Sequence, residues 1–381
     1  MLLQRAKEKP QLLLNTAQIV NKENISLDKY LNKEIRLLFK DAIKIIFKQP
    51  ELAKFFLRTY RWQKKAGNLR LEWGKKGLHV PPFMIFSITE RCNLSCKGCY
   101  AQAFNRKGTD EISPEKLKDI IEQAHQLGTS IILIAGGEPL VRKEIINIAG
   151  CYPDIIFPVF TNGLLIDEEM ISVLEKQKNF IPILSIEGNQ AETNSRRGKG
   201  VYEYVKKIIY KIRGKNVFWG LSLTLEKDNF DLITGEVFVK ELISLGCKMF
   251  FYISYVPVKY GTEDMRLTDE QEKKIGTIIN DYKARYPALF IAFPGGEEEM
   301  GGCLASGRGF VHISSEGNLE PCPFAPYSDT NLKDLTLKDA LGSEFLRKIR
   351  ENHEGLKATK GGCALWENRQ WVTSLLDKNP G

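Results

Sequence analysis

Residues 92–99 read CNLSCKGC, so three of the chain's eight cysteines share one short loop at C-x3-C-x2-C spacing. Thiolates are soft, strongly donating ligands, and this spacing lets one loop wrap three of them around a single metal centre. Gly98 relieves crowding where such a loop turns sharply. Zinc is one reading, but a structural zinc site asks for four protein ligands, usually as two separated pairs. The loop holds no fourth. Three buried, unliganded thiols are a second reading, since free cysteine favours interiors. Iron–sulfur clusters take one thiolate per iron, so three cysteines on a four-iron cluster leave one iron for a ligand that is not protein. An open metal position marks a reactive centre.

Such a loop needs elements that hold it. From Phe83 onward short apolar runs alternate with amphipathic segments. The strand candidates are 83–88, 130–135, 155–160, 180–186, 217–223 and 248–254. Helix candidates lie near 114–127, 142–149, 167–178, 201–213, 232–245 and 268–285. Strands that alternate with helices imply a parallel sheet with right-handed crossovers. Six units predict an α/β fold, a partial (β/α)6 barrel of the TIM type, two units short of closure. Chemistry in such folds gathers at the C-terminal strand ends. The cysteine loop follows the first strand candidate, GGEP (136–139) the second, TNG the third and EGNQ the fourth.

The cysteine loop and GGEP, each at a strand end and some 40 residues apart, resemble the radical S-adenosylmethionine (radical SAM) superfamily. The family's signature carries an aromatic residue before its last cysteine. Here Gly98 holds that slot and Tyr100 follows the last cysteine. The resemblance implies that Cys92, Cys96 and Cys99 hold a [4Fe–4S] cluster whose open iron chelates S-adenosylmethionine. It implies that the backbone of Gly136, Gly137 and Glu138 binds the methionine amino group, that Tyr100 lies beside the adenine, and that Ser185 contacts the ribose or carboxylate. Glu187 stands where related sequences have aspartate, and Arg197, or its neighbour Arg196, is the expected carboxylate partner. The implied chemistry is reductive cleavage of the sulfonium to a 5′-deoxyadenosyl radical, which takes hydrogen from an unactivated carbon. A low-potential electron donor of the flavodoxin or ferredoxin type is implied with it.

A second cysteine set follows. Cys303 and Cys322 frame Gly317 as C-x13-G-x4-C, and Cys363 comes later, after Gly361-Gly362. Gly317 is placed for a hairpin turn that brings Cys303 and Cys322 together. The pattern resembles the twitch and SPASM auxiliary-cluster domains, cut to three cysteines. It implies one auxiliary iron–sulfur cluster, of the [4Fe–4S] type, on Cys303, Cys322 and Cys363. Zinc with His353 as fourth ligand is the alternative. His353, Glu367, water or substrate are the candidates for the fourth position on a cluster. Cys151 and Cys247 read as packing thiols, and GGEEEMGG (295–302) as a solvated charged loop.

The expected domains are a helical basic extension over 1–80, the barrel over 81–294 and the auxiliary domain over 295–381. In the extension, Leu31, Ile35, Leu38, Ala42 and Ile45 recur at helical spacing. Between Lys29 and Lys76 stand 14 Lys/Arg against 4 Asp/Glu. Two readings follow: an interfacial helix on anionic lipid, or a helix packed on the barrel with its lysines in water. The first points to a lipid substrate and to peripheral membrane contact through residues 29–76; a peptide is the alternative substrate. No nucleic-acid-binding module accompanies the charge. No run of 18 apolar residues predicts a membrane span, and MLLQRAKEKPQLLLN is too polar for a signal peptide. The expectation is a cytoplasmic protein, at most peripheral on the inner membrane face, with metal-ligating rather than disulfide cysteines. A non-catalytic metal-binding scaffold is the competing reading from another class.

Overall fold

The computed structural model describes residues 27, 29–104, 110–295, 297, 302–356 and 363–376. The N-terminal MLLQRAKEKPQLLLN and the Gly361-Gly362 approach lie outside them. All six expected strands form: β1 (Phe83–Ser87), β2 (Ile131–Ala135), β3 (Phe157–Thr161), β4 (Phe180–Ile186), β5 (Gly220–Leu225) and β6 (Met249–Ser254). Three more join them: β7 (Leu289–Phe293), β8 (Phe310–Ile313) and β9 (Leu319–Glu320). The order across the sheet is β7-β6-β5-β4-β3-β2-β1-β8-β9. Every pairing is parallel except β8 with β9. The result is a partial barrel with helices on its outer face.

The crossovers start and stop where local chemistry dictates. The helix over 29–48 is α1, and Ala53–Lys75 is α2. Tyr100–Ala103 is the short α3, and Pro114–Leu127 is α4. Ser113 caps α4 by accepting from the Lys116 backbone, Pro114 pre-sets the first turn, and Gly128 ends it at φ 101°. The next crossovers are α5 (Glu144–Gly150), α6 (Glu168–Lys176), α7 (Gln190–Arg197) and α8 (Val201–Ile212).

The expected run 295–381 does not stand apart from the barrel. Its first strand, β8, pairs with β1 from Phe83↔Phe310 to Phe86↔Ile313 and so extends the main sheet. The hairpin from β8 to β9 turns at Gly317, φ 90°. A buried polar row fastens it to β1. Ser87 Oγ lies 2.8 Å from His312 Nε2, and His312 Nδ1 lies 2.7 Å from Glu320 Oε2.

The N-terminal helices close the opposite end of the barrel. Ala42, Ile45, Leu52, Phe55 and Phe56 pack in one cluster with Ile181, Ile183, Phe218, Met249, Phe251 and Leu289 from the strands. Phe218 sits 5.5 Å from Phe56 and 6.1 Å from Phe55, ring to ring. Buried Arg70 holds α2 to the start of β2, donating to Ser130 Oγ at 3.1 Å and to the Gly128 carbonyl. Trp62 adds a bond to the Thr129 carbonyl at 3.2 Å. Thus the barrel-packed reading describes Ala42 and Ile45, while Lys33, Arg36, Lys40 and Lys48 are exposed. Leu37, Ile43 and Phe47 also face outward. Truncating Phe218 to alanine is expected to cost about 3–5 kcal/mol through the cavity left under α2. The reading is a lower urea midpoint at unchanged slope.

Candidate active site

The cysteine loop is built by its backbone. It leaves β1, and Cys99 begins α3, whose first turn closes through Ala103 N–H to the Cys99 carbonyl at 3.0 Å. Gln102 Nε2 reaches back to the Leu94 carbonyl at 2.7 Å. The Lys97 amide donates to the Arg196 carbonyl at 2.8 Å, tying the loop to α7. Gly98 adopts φ 68°, and a β-carbon there would meet the Tyr255 hydroxyl at 2.3 Å. So the space beside the signature's missing aromatic is filled by a tyrosine from the end of β6.

GGEP sits against the same loop. The Gly137 amide donates to the Thr89 carbonyl at 2.7 Å, and the Glu138 amide to the Arg91 carbonyl at 2.8 Å. A β-carbon on Gly136 would meet Thr89 O at 2.3 Å, and one on Gly137 would meet Arg91 O at 2.2 Å. The two glycines therefore answer to a backbone neighbour inside the protein. The amides of residues 137 and 138 are in use, which leaves carbonyl oxygens to meet an amino group.

Glu138 is buried and accepts three bonds: from Leu140 N at 3.0 Å, Thr161 Oγ1 at 2.7 Å and Asn162 N at 2.8 Å. Burial raises its carboxyl, with those bonds pulling the other way. Asn162 Nδ2 then reaches Asn93 Oδ1 at 2.7 Å, so TNG also holds the cysteine loop.

A charged cluster backs the fourth strand end. Glu187 is buried and lies 2.6 Å from Arg196 Nη1 and 2.6 Å from Arg197 Nη2. Its second oxygen accepts from Thr224 N at 3.1 Å. Arg196 Nε lies 2.7 Å from Glu226, whose carboxyl burial pushes up to about 7 against the pull of Arg196. Both arginines reach the rim already oriented by carboxylates behind them.

One cavity of about 290 Å³ collects most of these groups. Lining it are Cys92, Cys96, Cys99, Tyr100, Gly136, Gly137, Glu138, Ser185, Arg197 and all of Cys303, Cys322 and Cys363. Glu187 stands outside it, behind the arginines. Tyr100 lies between the two cysteine sets, 5.3 Å from the Phe324 ring and hydrogen-bonded to Ser87.

The sequence reading passed over Ser222, which pairs in register with Ser185, and Tyr255. Glu297, expected in a solvated charged loop, lines the cavity instead, and burial raises its carboxyl. A run of glutamates carries no signal for which member turns inward. His353 lies outside the cavity lining; its Nδ1 meets the Arg350 carbonyl at 2.7 Å. Glu367 is outside it too.

The donor sets fit iron–sulfur clusters better than single ions. Each set is three cysteines, and thiolates are the ligands that hold iron–sulfur clusters. The second triad is assembled: the Cys322 thiol donates to Cys363, which keeps the Cys322 proton on and favours thiolate at Cys363, and Cys303 adjoins both.

Residues 86–233 match the radical SAM superfamily. The chain is 26% identical over 322 residues to the AdoMet-dependent heme synthase of Methanosarcina barkeri, covering 77% of this chain and 90% of that one. It is 24% identical over 325 residues to the mycofactocin maturase MftC of Mycolicibacterium smegmatis, covering 77% and 80%. Its fold superposes on Streptococcus suis SuiB bound to S-adenosylmethionine with a TM-score of 0.62, 18% identity, and coverage of 88% and 86%.

Two outcomes are expected. Gly137→Ala forces a β-carbon into the Arg91 carbonyl and should abolish iron binding by the first triad, read as iron lost per chain while the second triad's share stays. Burial raises the Cys92, Cys96 and Cys303 thiols above their ordinary value. Ligation needs thiolates, so protons leave on assembly. Cluster reconstitution should therefore improve steadily as pH rises from about 6.5 to 8.5; a flat or falling yield would contradict this.

Proposed function

We propose that this chain, a radical SAM enzyme by the domain at residues 86–233, works on a tetrapyrrole held between two iron–sulfur sites. The observation that carries the reading is the shared cavity: both cysteine triads open onto one space. Cys92, Cys96 and Cys99 would hold the family's [4Fe–4S] cluster, and Cys303, Cys322 and Cys363 an auxiliary one. When bound, the first cluster and S-adenosylmethionine supply a 5′-deoxyadenosyl radical that removes a hydrogen atom from carbon.

The chain's own residues do the placing. Gly136, Gly137 and Glu138 line the cavity, and the Gly136 and Gly137 carbonyls would accept from the methionine amino group, the Glu138 carbonyl being taken by Val141 N–H at 3.1 Å. Ser185 and Arg197 meet its polar end, and Glu187 acts through the two arginines without touching it. Phe160, Ile253, Phe293, Phe310 and Phe324 line the remaining wall with apolar surface. Such a wall suits a flat, largely apolar ring and keeps water from a reactive radical.

A tetrapyrrole is favoured because the heme synthase relative aligns over nine-tenths of its own length. A peptide is the second reading, favoured by the maturase relative. A lipid substrate rested on the apolar side of the N-terminal helices, and part of that side packs against the barrel floor. The reductant proposed is a flavodoxin or ferredoxin.

The test uses anaerobically reconstituted full chain with S-adenosylmethionine and dithionite. Iron coproporphyrin III, the iron porphyrin in the name of another Methanosarcina barkeri relative, should shift its Soret band on binding and raise 5′-deoxyadenosine release well above the substrate-free rate. Absence of both effects would remove the tetrapyrrole reading. Stimulation by a candidate precursor peptide instead would put the second reading in its place.

A further inference from the structure

Three cysteines leave one iron of the auxiliary cluster without a protein ligand, and among the described residues Glu297 is the acid that lines the cavity beside them. The Glu297 carboxylate lines the cavity with Cys303, Cys322 and Cys363, and it accepts from the Leu304 backbone N–H and from the Cys303 thiol. Its backbone is pinned close to the triad, since the Gly302 amide donates to the Glu297 carbonyl at 2.9 Å. Gly302 itself takes φ 136°, where a β-carbon would strike the His353 carbonyl at 2.3 Å.

We propose that Glu297 is the fourth protein ligand of the auxiliary cluster, completing the set Cys303, Cys322, Cys363 and Glu297. This rests on the reading that the second triad holds an iron–sulfur cluster.

Glu297 lines the same cavity as Cys303, Cys322 and Cys363 and meets the Cys303 thiol directly, so an anionic oxygen donor stands with the three sulfurs. The other candidates point elsewhere: neither His353 nor Glu367 lines the cavity. A cluster closed by Glu297 does not ligate substrate; it passes electrons or charge to what lies between the triads. An oxygen donor is also harder than sulfur, so this cluster should have a higher potential than an all-thiolate one.

The experiment isolates the auxiliary site in the full chain by replacing Cys92, Cys96 and Cys99 with alanine. About four irons per chain are expected. With Glu297 in place, imidazole should leave the reduced cluster's EPR spectrum unchanged. In Glu297→Gln the iron opens, so imidazole should shift the spectrum or an iron should be lost. In Glu297→Cys the spectrum should again ignore imidazole, and the reduction potential should fall. Imidazole binding with Glu297 present, or no difference between Glu297 and the Gln variant, overturns the assignment. Loss of the cluster in the Gln variant alone supports it. Loss in both Gln and Cys variants counts against it, since a thiolate at 297 would satisfy the same iron. If the triple-alanine chain binds no iron at all, the auxiliary-cluster reading fails and takes this one with it.

Discussion

The active rim depends on two backbones lying closer than any β-carbon would permit. Gly136 and Gly137 bring the end of β2 against residues 89–91, and the amides of 137 and 138 lock the contact. Glu138 then turns its carboxylate into the barrel and bonds the end of β3 at Thr161 and Asn162. Asn162 passes the restraint to Asn93 inside the cysteine loop. Three strand ends thus become one rigid body, and the direction of three thiols follows from it. A flexible loop could carry the same cysteines, but not at a fixed distance from anything bound at GGEP.

Charge is handled with the same economy of position. Two arginines face a cavity with mostly apolar walls, and each would be an unpaired buried cation alone. Glu187 faces both, and Glu226 takes the other side of Arg196. Partners of this kind are strongly missed when one is removed, because the remaining charge is left stranded. They also hold the guanidinium groups in fixed directions, which is what bidentate recognition of a carboxylate requires. Across the cavity, β8 brings the second triad to face the first because it pairs with β1 rather than folding away. The row Ser87, His312 and Glu320 fastens that union where the sheet meets the hairpin.

Much of this was legible from sequence. The loop and GGEP carried their chemistry in residue type and spacing, and short apolar runs alternating with amphipathic segments located six strands. What escaped was long-range. β7 was missed because ALFIAF is a short apolar run directly after a long helix, without a loop motif to flag it. The joining of β8 to β1 has no local signature, since strands 227 residues apart in register reveal nothing of each other in sequence. Tyr255 standing beside Gly98 is likewise a contact between two strand ends. Glu297 sits in a run of glutamates, and its place in the cavity wall comes from the fold alone.

The central claim is that both triads hold iron–sulfur clusters facing one cavity. The most direct measurement is iron and acid-labile sulfide per chain in anaerobically reconstituted protein, repeated with each triad replaced by alanine. The account predicts about eight irons and eight sulfides, falling to about four with either triad removed. Protein that binds zinc without sulfide, or iron that disappears entirely when one triad is replaced, would contradict it.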